Sequence, residues 1–288
     1  MQKSYIERFK DGLYLASDSF AMLWQHPILL IYYLGLLLSY ALVFIFAYNM
    51  IGYKGACMQF SGEFHAPQTN LLADLIPKAG GLVYLGFIFS IFLNVLLRTF
   101  LSVALVQHTH AVLHDHKPLL KEIWLATKKH WLNILNWSLL LGGGTLLISG
   151  LSGLALSTKS ILLLTLISSL GISLLALTFF VIPVIALTRK SIPNAVYTSA
   201  QLLTKYMPEI LGGLFWIGLV WFFTLFTNIA IHEYLMPANF KDVCMEHNLV
   251  LLNTLFATIL LIFKTRIFHR EVAPAQKPDD VIPDYSQF

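Results

Sequence analysis

The sequence predicts an all-α polytopic membrane protein of six transmembrane helices, with amphipathic cytoplasmic helices before spans 1, 3 and 5. Three observations predict it. Of 288 residues, 57% are hydrophobic and only 12% are Asp, Glu, Lys or Arg, whereas an average soluble domain carries roughly 25% charged residues. Six stretches hold the run of about 20 mostly apolar residues that a helix needs to cross a ~30 Å hydrocarbon core. The lysines and arginines also divide unevenly between the two sides those spans define. This composition excludes a soluble globular enzyme and a disordered chain. A net charge of +4 is too small to carry nucleic-acid binding, and two cysteines exclude a disulfide scaffold or a cysteine-rich zinc module.

The spans are expected at residues 28–50, 79–97, 131–156, 161–187, 210–231 and 248–263. The second has an uncertain end, because 99–106 is also apolar and the helix can continue past Arg98 to about His114. Helical periodicity cannot sort these segments, which are apolar nearly all round. The first 27 residues are mixed in charge and precede an apolar run of about 23, longer than the 7–15 of a signal-peptide core, so the first span is expected to stay. With six spans, 15 basic residues fall on one side and 4 on the other, which puts both termini in the cytoplasm. Trp24, Trp131 and Trp137 stand near the cytoplasmic ends, where interface anchors belong.

Each odd-numbered span is preceded by an amphipathic stretch. In residues 5–24, Ile6, Phe9, Leu13, Ala16, Phe20, Leu23 and Trp24 share one face at 100° per residue, opposite Lys3, Glu7, Lys10, Asp11, Asp18 and Gln25. Such a helix lies in the membrane interface. His26 and Pro27 end it. Residues 117–131 repeat the pattern, with Ile123, Trp124 and Thr127 opposite Lys121, Glu122 and Lys128. Residues 193–206 repeat it again, with Ser191 placed to cap and Pro193 in the first turn. The organisation is therefore an interfacial helix over 1–27, a six-helix membrane domain over 28–270 and a disordered cytoplasmic tail over 271–288, where prolines stand among acids.

Particular stretches carry a resemblance: Phe9 to Leu13 with His26 to Leu30; Lys117-Pro118 followed by Ile123 to Ala126 and Ile134 to Trp137; and Val181 to Ala186, then Ala195 to Ser199, then Glu209 to Gly212. Together they resemble a family of uncharacterised bacterial six-helix inner-membrane proteins classed as a domain of unknown function, over most of the chain up to about residue 270. Two departures stand out: Thr188, Arg189 and Lys190 where the family often has an acid, and Asp115-His116 where it often has a nearby glycine. The resemblance implies a fold and an inner-membrane location, and no activity.

Candidate chemistry is sparse. His110 and His114 are four apart, so on a helix they share a face and are the candidate metal ligands; the competing reading is a helix end with neutral imidazoles at a membrane surface. Asn94 and Arg98, also four apart, are a candidate intramembrane polar site if the second helix runs on past Arg98; if it stops at Leu97, Arg98 snorkels to the headgroups. Ser173 stands in a faint protease-like motif, but no histidine falls at its depth. Thr224, Thr227 and Asn228, or Asn253, Thr254 and Thr258, are candidate solute-lining groups, with helix–helix hydrogen bonding as the alternative. Gly142, Gly143, Gly144, Gly150 and Gly153 offer close packing or flexibility, and Pro183 should kink the fourth span. Cys57 and Cys244 both fall on the outer side and are the candidate disulfide; two unrelated thiols are the alternative.

These readings yield no catalytic constellation, no cofactor and no resident metal. The expected role is a non-catalytic accessory or envelope component acting through membrane lipids or protein partners, without nucleic acid. The alternative is a channel or carrier for a weakly polar or amphiphilic solute.

Overall fold

A computed structural model describes residues 3–41, 45, 81–188, 190–235 and 241–272. The described residues form helices and no strand. In chain order the helices are α1 (Tyr5–Gln25), α2 (Leu29–Ala41), α3 (Gly81–Leu113), α4 (Leu120–Lys128), α5 (Trp131–Ser157), α6 (Ile161–Leu177), α7 (Val181–Leu187), α8 (Ile192–Lys205), α9 (Met207–Leu235) and α10 (Lys241–Val272). Five stretches are long and apolar enough to cross a membrane: Ile88–Leu113, Trp131–Ser152, Ile161–Leu187, Met207–Ile231 and Asn248–Glu271. A sixth counts if α1 and α2, bent 89° to each other, are taken as one broken span. The chain is a multi-pass membrane protein. The candidate disulfide lies outside what is described, since Cys57 is not described and of Cys244 only the helical backbone is; of the tail expected over 271–288, Glu271 and Val272 end α10 and the rest lies outside the described residues.

α1 begins with a reciprocal cap. The Glu7 N–H donates to Ser4 Oγ at 3.3 Å and the Ser4 N–H donates to Glu7 Oε2 at 2.8 Å, satisfying two donors that the helix start leaves open. Its buried stripe is Gly12, Leu15, Ala16, Ser19, Met22 and Leu23. The face expected from the sequence is only partly the one that packs, since Ile6 is 67% and Trp24 72% exposed. The reason is that α1 has two apolar neighbours. Gly12 lies where its backbone meets α9, Leu15, Met22 and Leu23 pack into the core, and Tyr5, Ile6, Tyr14 and Trp24 are exposed. A Cβ on Gly12 would stand 2.0 Å from the Glu209 carbonyl oxygen, and one on Gly212 would stand 2.1 Å from the Phe9 carbonyl oxygen. Small residues are what permit such approach between helices in lipid. Gly142 meets nothing closer than a Phe92 carbon at 3.6 Å, and Gly143, Gly144 and Gly150 meet nothing within 4 Å. Of the two roles expected for these glycines, close packing or flexibility, Gly142, Gly143, Gly144 and Gly150 do not make close packing contacts.

α3 is 33 residues long and passes straight through Arg98. The continuation to about His114 expected from the apolar 99–106 run is what forms, in place of an end at Leu97: an arginine does not break a helix, and the apolar run after it continues the same helix. The next two joints turn on residues in the left-handed region, Asp115 (φ 57°) after α3 and Lys159 (φ 53°) after α5. α4 starts with the Leu119 N–H donating to Glu122 Oε2 at 3.0 Å, a carboxylate where the helix dipole favours one.

The fourth span breaks where Pro183 requires it. Proline has no N–H and its ring collides with the carbonyl four residues back. The helix therefore stops at Leu177, turns through 178–180 and restarts as α7, with Pro183 in the first turn. The freed Phe180 N–H donates to Ser199 Oγ of α8 at 2.9 Å, with both residues fully buried. Ser199 thereby closes the break with a side chain from the interfacial helix. Ser191 holds the N-cap position of α8 without a side-chain hydrogen bond.

The core gathers at the end where α1, α4 and α8 meet the long helices, around Leu105, Ile123, Ile134, Trp137, Phe180 and Phe263. Trp137 is 2% exposed, so it is a core residue and not the interface anchor expected beside Trp24 and Trp131; it lies within α5 beside Ile134 rather than at the helix start. Polar bonds join the layers here. Gln107 Nε2 donates to the Ala186 carbonyl at 3.2 Å, and the Thr127 hydroxyl lies 2.8 Å from Gln107 Oε1.

Candidate functional site

The same end carries a histidine cluster, the one group of three possible metal ligands among the described residues. Three histidines converge from two helices that are distant in sequence. His110 lies in the last turn of α3, His114 follows its final residue, and His269 lies near the end of α10. The turn holding His114 is fixed by the left-handed Asp115, which lets the His116 N–H donate back to the Ala111 carbonyl at 3.0 Å. That geometry satisfies carbonyls at the helix end. One ring nitrogen from each histidine lies within 4.8 Å of the other two. The His110 and His269 Nδ1 atoms are 3.2 Å apart. Ring centroids are separated by 4.7 Å for His110–His114, 5.1 Å for His110–His269 and 4.7 Å for His114–His269. His110 is buried, His269 half-buried and His114 exposed.

The pair expected from spacing is thus brought together, and a third ring joins it. His108, two residues away, points elsewhere and shares a hydrogen bond of 3.0 Å between its Nδ1 and the Tyr32 hydroxyl. One turn before His269, Arg266 donates to Asp18 of α1 at 3.0 Å.

A second polar group ties α1 and α8 to the starts and ends of the spans. The Arg8 guanidinium makes a two-pronged contact with the Glu209 carboxylate, at 2.8 and 2.9 Å, and also donates to the Lys205 carbonyl. Lys205 and the Tyr206 hydroxyl both donate to Glu271 Oε2, at 2.5 and 2.6 Å. Burial, and then the hydrogen bond to Glu271, push the Tyr206 phenol well above its ordinary range.

Asn94 and Arg98 lie inside α3, not at its end. Arg98 is ten residues from Ile88 and fifteen from Leu113, about 15 and 22 Å along the helix. Its guanidinium lies over the Tyr40 ring, 4.8 Å from the centroid. The Asn94 Oδ1 is buried and accepts no hydrogen bond among the described residues. The helix does not end at Leu97, the condition under which Arg98 is expected to snorkel. Ser173 is exposed and donates to the Ser169 carbonyl at 2.8 Å, away from any histidine described.

Sequence spacing finds His110 and His114 because both lie on one helix. It cannot find His269, whose placement depends on α3 packing against α10. Comparison with known proteins gives no matching family model, no matching curated protein and no matching solved structure.

Proposed function

We propose that the chain is a non-catalytic component of a bacterial inner membrane, with both termini cytoplasmic, that acts through lipids or protein partners at its cytoplasmic end. The observation that best supports this is where the polar groups of the spans go. Thr224 and Thr227 are exposed on the outside of α9, with their hydroxyls on the Val220 and Phe223 carbonyls at 2.7 and 2.8 Å. Thr254 and Thr258 donate to Val250 and Thr254 of their own helix, at 2.8 and 2.9 Å. Asn253 accepts from Trp221 Nε1 at 3.1 Å, joining α9 to α10. These groups are engaged by their own or a neighbouring helix and do not converge on a path for solute.

The opposite character marks the end built by α1, α4 and α8. Tyr14, Trp24, Trp124 and Tyr197 stand exposed there, interspersed with exposed Lys10, Lys121 and Lys128. Aromatic rings with lysines suit the headgroup region of an anionic leaflet. The excess of basic residues on this side of the spans supports the cytoplasmic assignment. Taken at the observed lengths, the spans Ile88–Leu113 and Asn248–Glu271 remove Arg98, Lys264, Arg266 and Arg270 from the count and leave 11 against 4. The resemblance to uncharacterised inner-membrane proteins points the same way.

The carrier reading rests on Asn94 and Arg98, a polar pair inside a span. Purification in gentle detergent followed by native mass spectrometry separates the two. Retained anionic phospholipid, or a stoichiometric protein partner, is the expected result. A retained small solute that is lost in Arg98→Gln, together with its flux into proteoliposomes, would replace the proposal with the carrier.

A further inference from the structure

We propose that His110, His114 and His269 form a binding site for a divalent first-row transition ion of the zinc class. Zinc–imidazole bonds of about 2.0–2.1 Å in a tetrahedral site place neighbouring nitrogens about 3.3 Å apart. The His110 and His269 Nδ1 atoms are already 3.2 Å apart, which is one edge of that tetrahedron. One ring nitrogen from each of the three histidines lies within 4.8 Å of the other two, and His114, the third ligand, is the exposed member on the turn after α3.

Donor chemistry narrows the ion. Three imidazoles with no oxygen ligand suit zinc, copper or nickel and disfavour magnesium and calcium, which take oxygen donors. Three protein ligands leave the fourth tetrahedral position to water. The local charge does not oppose a cation strongly. Arg266, one turn before His269, is held on Asp18 at 3.0 Å; exposed Arg270 is the other cation next to His269.

Without a metal, the 3.2 Å contact is an Nδ1–H of one neutral ring donating to the Nδ1 of the other. Metal binding moves that proton to the Nε2 of the same ring, which frees both Nδ1 lone pairs for the ion with no net proton released from the neutral pair. The ion then clamps the end of α3 to the end of α10, two elements whose sequence positions are 155 residues apart at His114 and His269.

The test uses the full-length chain in lipid nanodiscs, with any polyhistidine tag removed and metal stripped by chelator. Cobalt(II) is titrated while its visible d–d bands are followed, and zinc is then added in competition. The expected result is one ion per chain with the intense bands of a four-coordinate site, displaced by zinc. His114→Ala and His269→Ala should each weaken binding at least tenfold, and His130→Ala should leave it unchanged. Because His114 is exposed, its variant tests the ligand role without disturbing the core, and an unchanged size-exclusion profile confirms that. Absence of saturable bands, or binding undiminished in His114→Ala, would overturn the site and leave the three rings as a hydrogen-bonded aromatic cluster.

Discussion

Gly12→Val should detach α1 from the bundle. At Gly12 a Cβ would lie 2.0 Å from the Glu209 carbonyl oxygen and 2.9 Å from its Cα. Both atoms are backbone, so no side chain can rotate out of the way; one helix must move. Overpacking a tight site costs about 1–3 kcal/mol, and a backbone obstacle puts this change at the upper end or beyond. The comparison is Gly143→Ala, where nothing lies within 4 Å. There the helix gains about 0.5–1 kcal/mol from losing a glycine. Thermal unfolding of both variants in the same detergent checks the contrast. Equal midpoints would mean that the Gly12–Glu209 approach does not hold α1.

The second large effect concerns Arg8 and Glu209. The Glu209 side chain is 9% exposed and the Arg8 side chain 29%. Removing the arginine leaves a buried carboxylate without its partner, and breaking a buried pair in this way costs roughly 3–5 kcal/mol. Because Arg8 keeps some contact with solvent, Arg8→Leu should cost about 3 kcal/mol, near the bottom of that range. Removing both charges should cost much less, since no buried charge then remains. A double-mutant cycle on Arg8→Leu and Glu209→Leu therefore should show the double variant more stable than Arg8→Leu alone. If the two single losses simply add, the ion pair carries no coupling and α1 is held by packing only.

The division between what the sequence revealed and what it hid follows from lipid as a solvent. The spans were legible because crossing a bilayer demands long apolar runs, and α1, α4 and α8 were legible because polar and apolar faces alternate there at helical period. Pro183 located the break in the fourth span because its missing N–H acts locally. Within the spans that contrast disappears. Protein-facing and lipid-facing residues are equally apolar, so nothing distinguished Trp137, which is buried, from Trp131, which is 43% exposed. The same blindness offered Gly142–Gly144 for close packing or flexibility, whereas the positions with no room for a side chain are Gly12, Gly212 and Gly213, where at the last a Cβ would stand 2.0 Å from the Phe263 ring. Arg98 was ambiguous because an arginine fits both a helix end and a helix interior. At the candidate site, the four-residue spacing of His110 and His114 was visible. His269 was not, because it joins them only through the contact between α3 and α10.

The central claim is that the His-bearing ends of α3 and α10 share the cytoplasmic side with α1, α4 and α8, while the α5–α6 turn lies outside. Single cysteines test it in a background with Cys57 and Cys244 replaced by serine. The positions are Lys128→Cys on α4, Arg270→Cys beside His269 and Thr158→Cys in the α5–α6 turn, all exposed. With a membrane-impermeant maleimide, Thr158→Cys should label in intact cells. Lys128→Cys and Arg270→Cys should label only after the membrane is opened. Labelling of Arg270→Cys in intact cells, or equal labelling of Thr158→Cys and Lys128→Cys, would contradict the account.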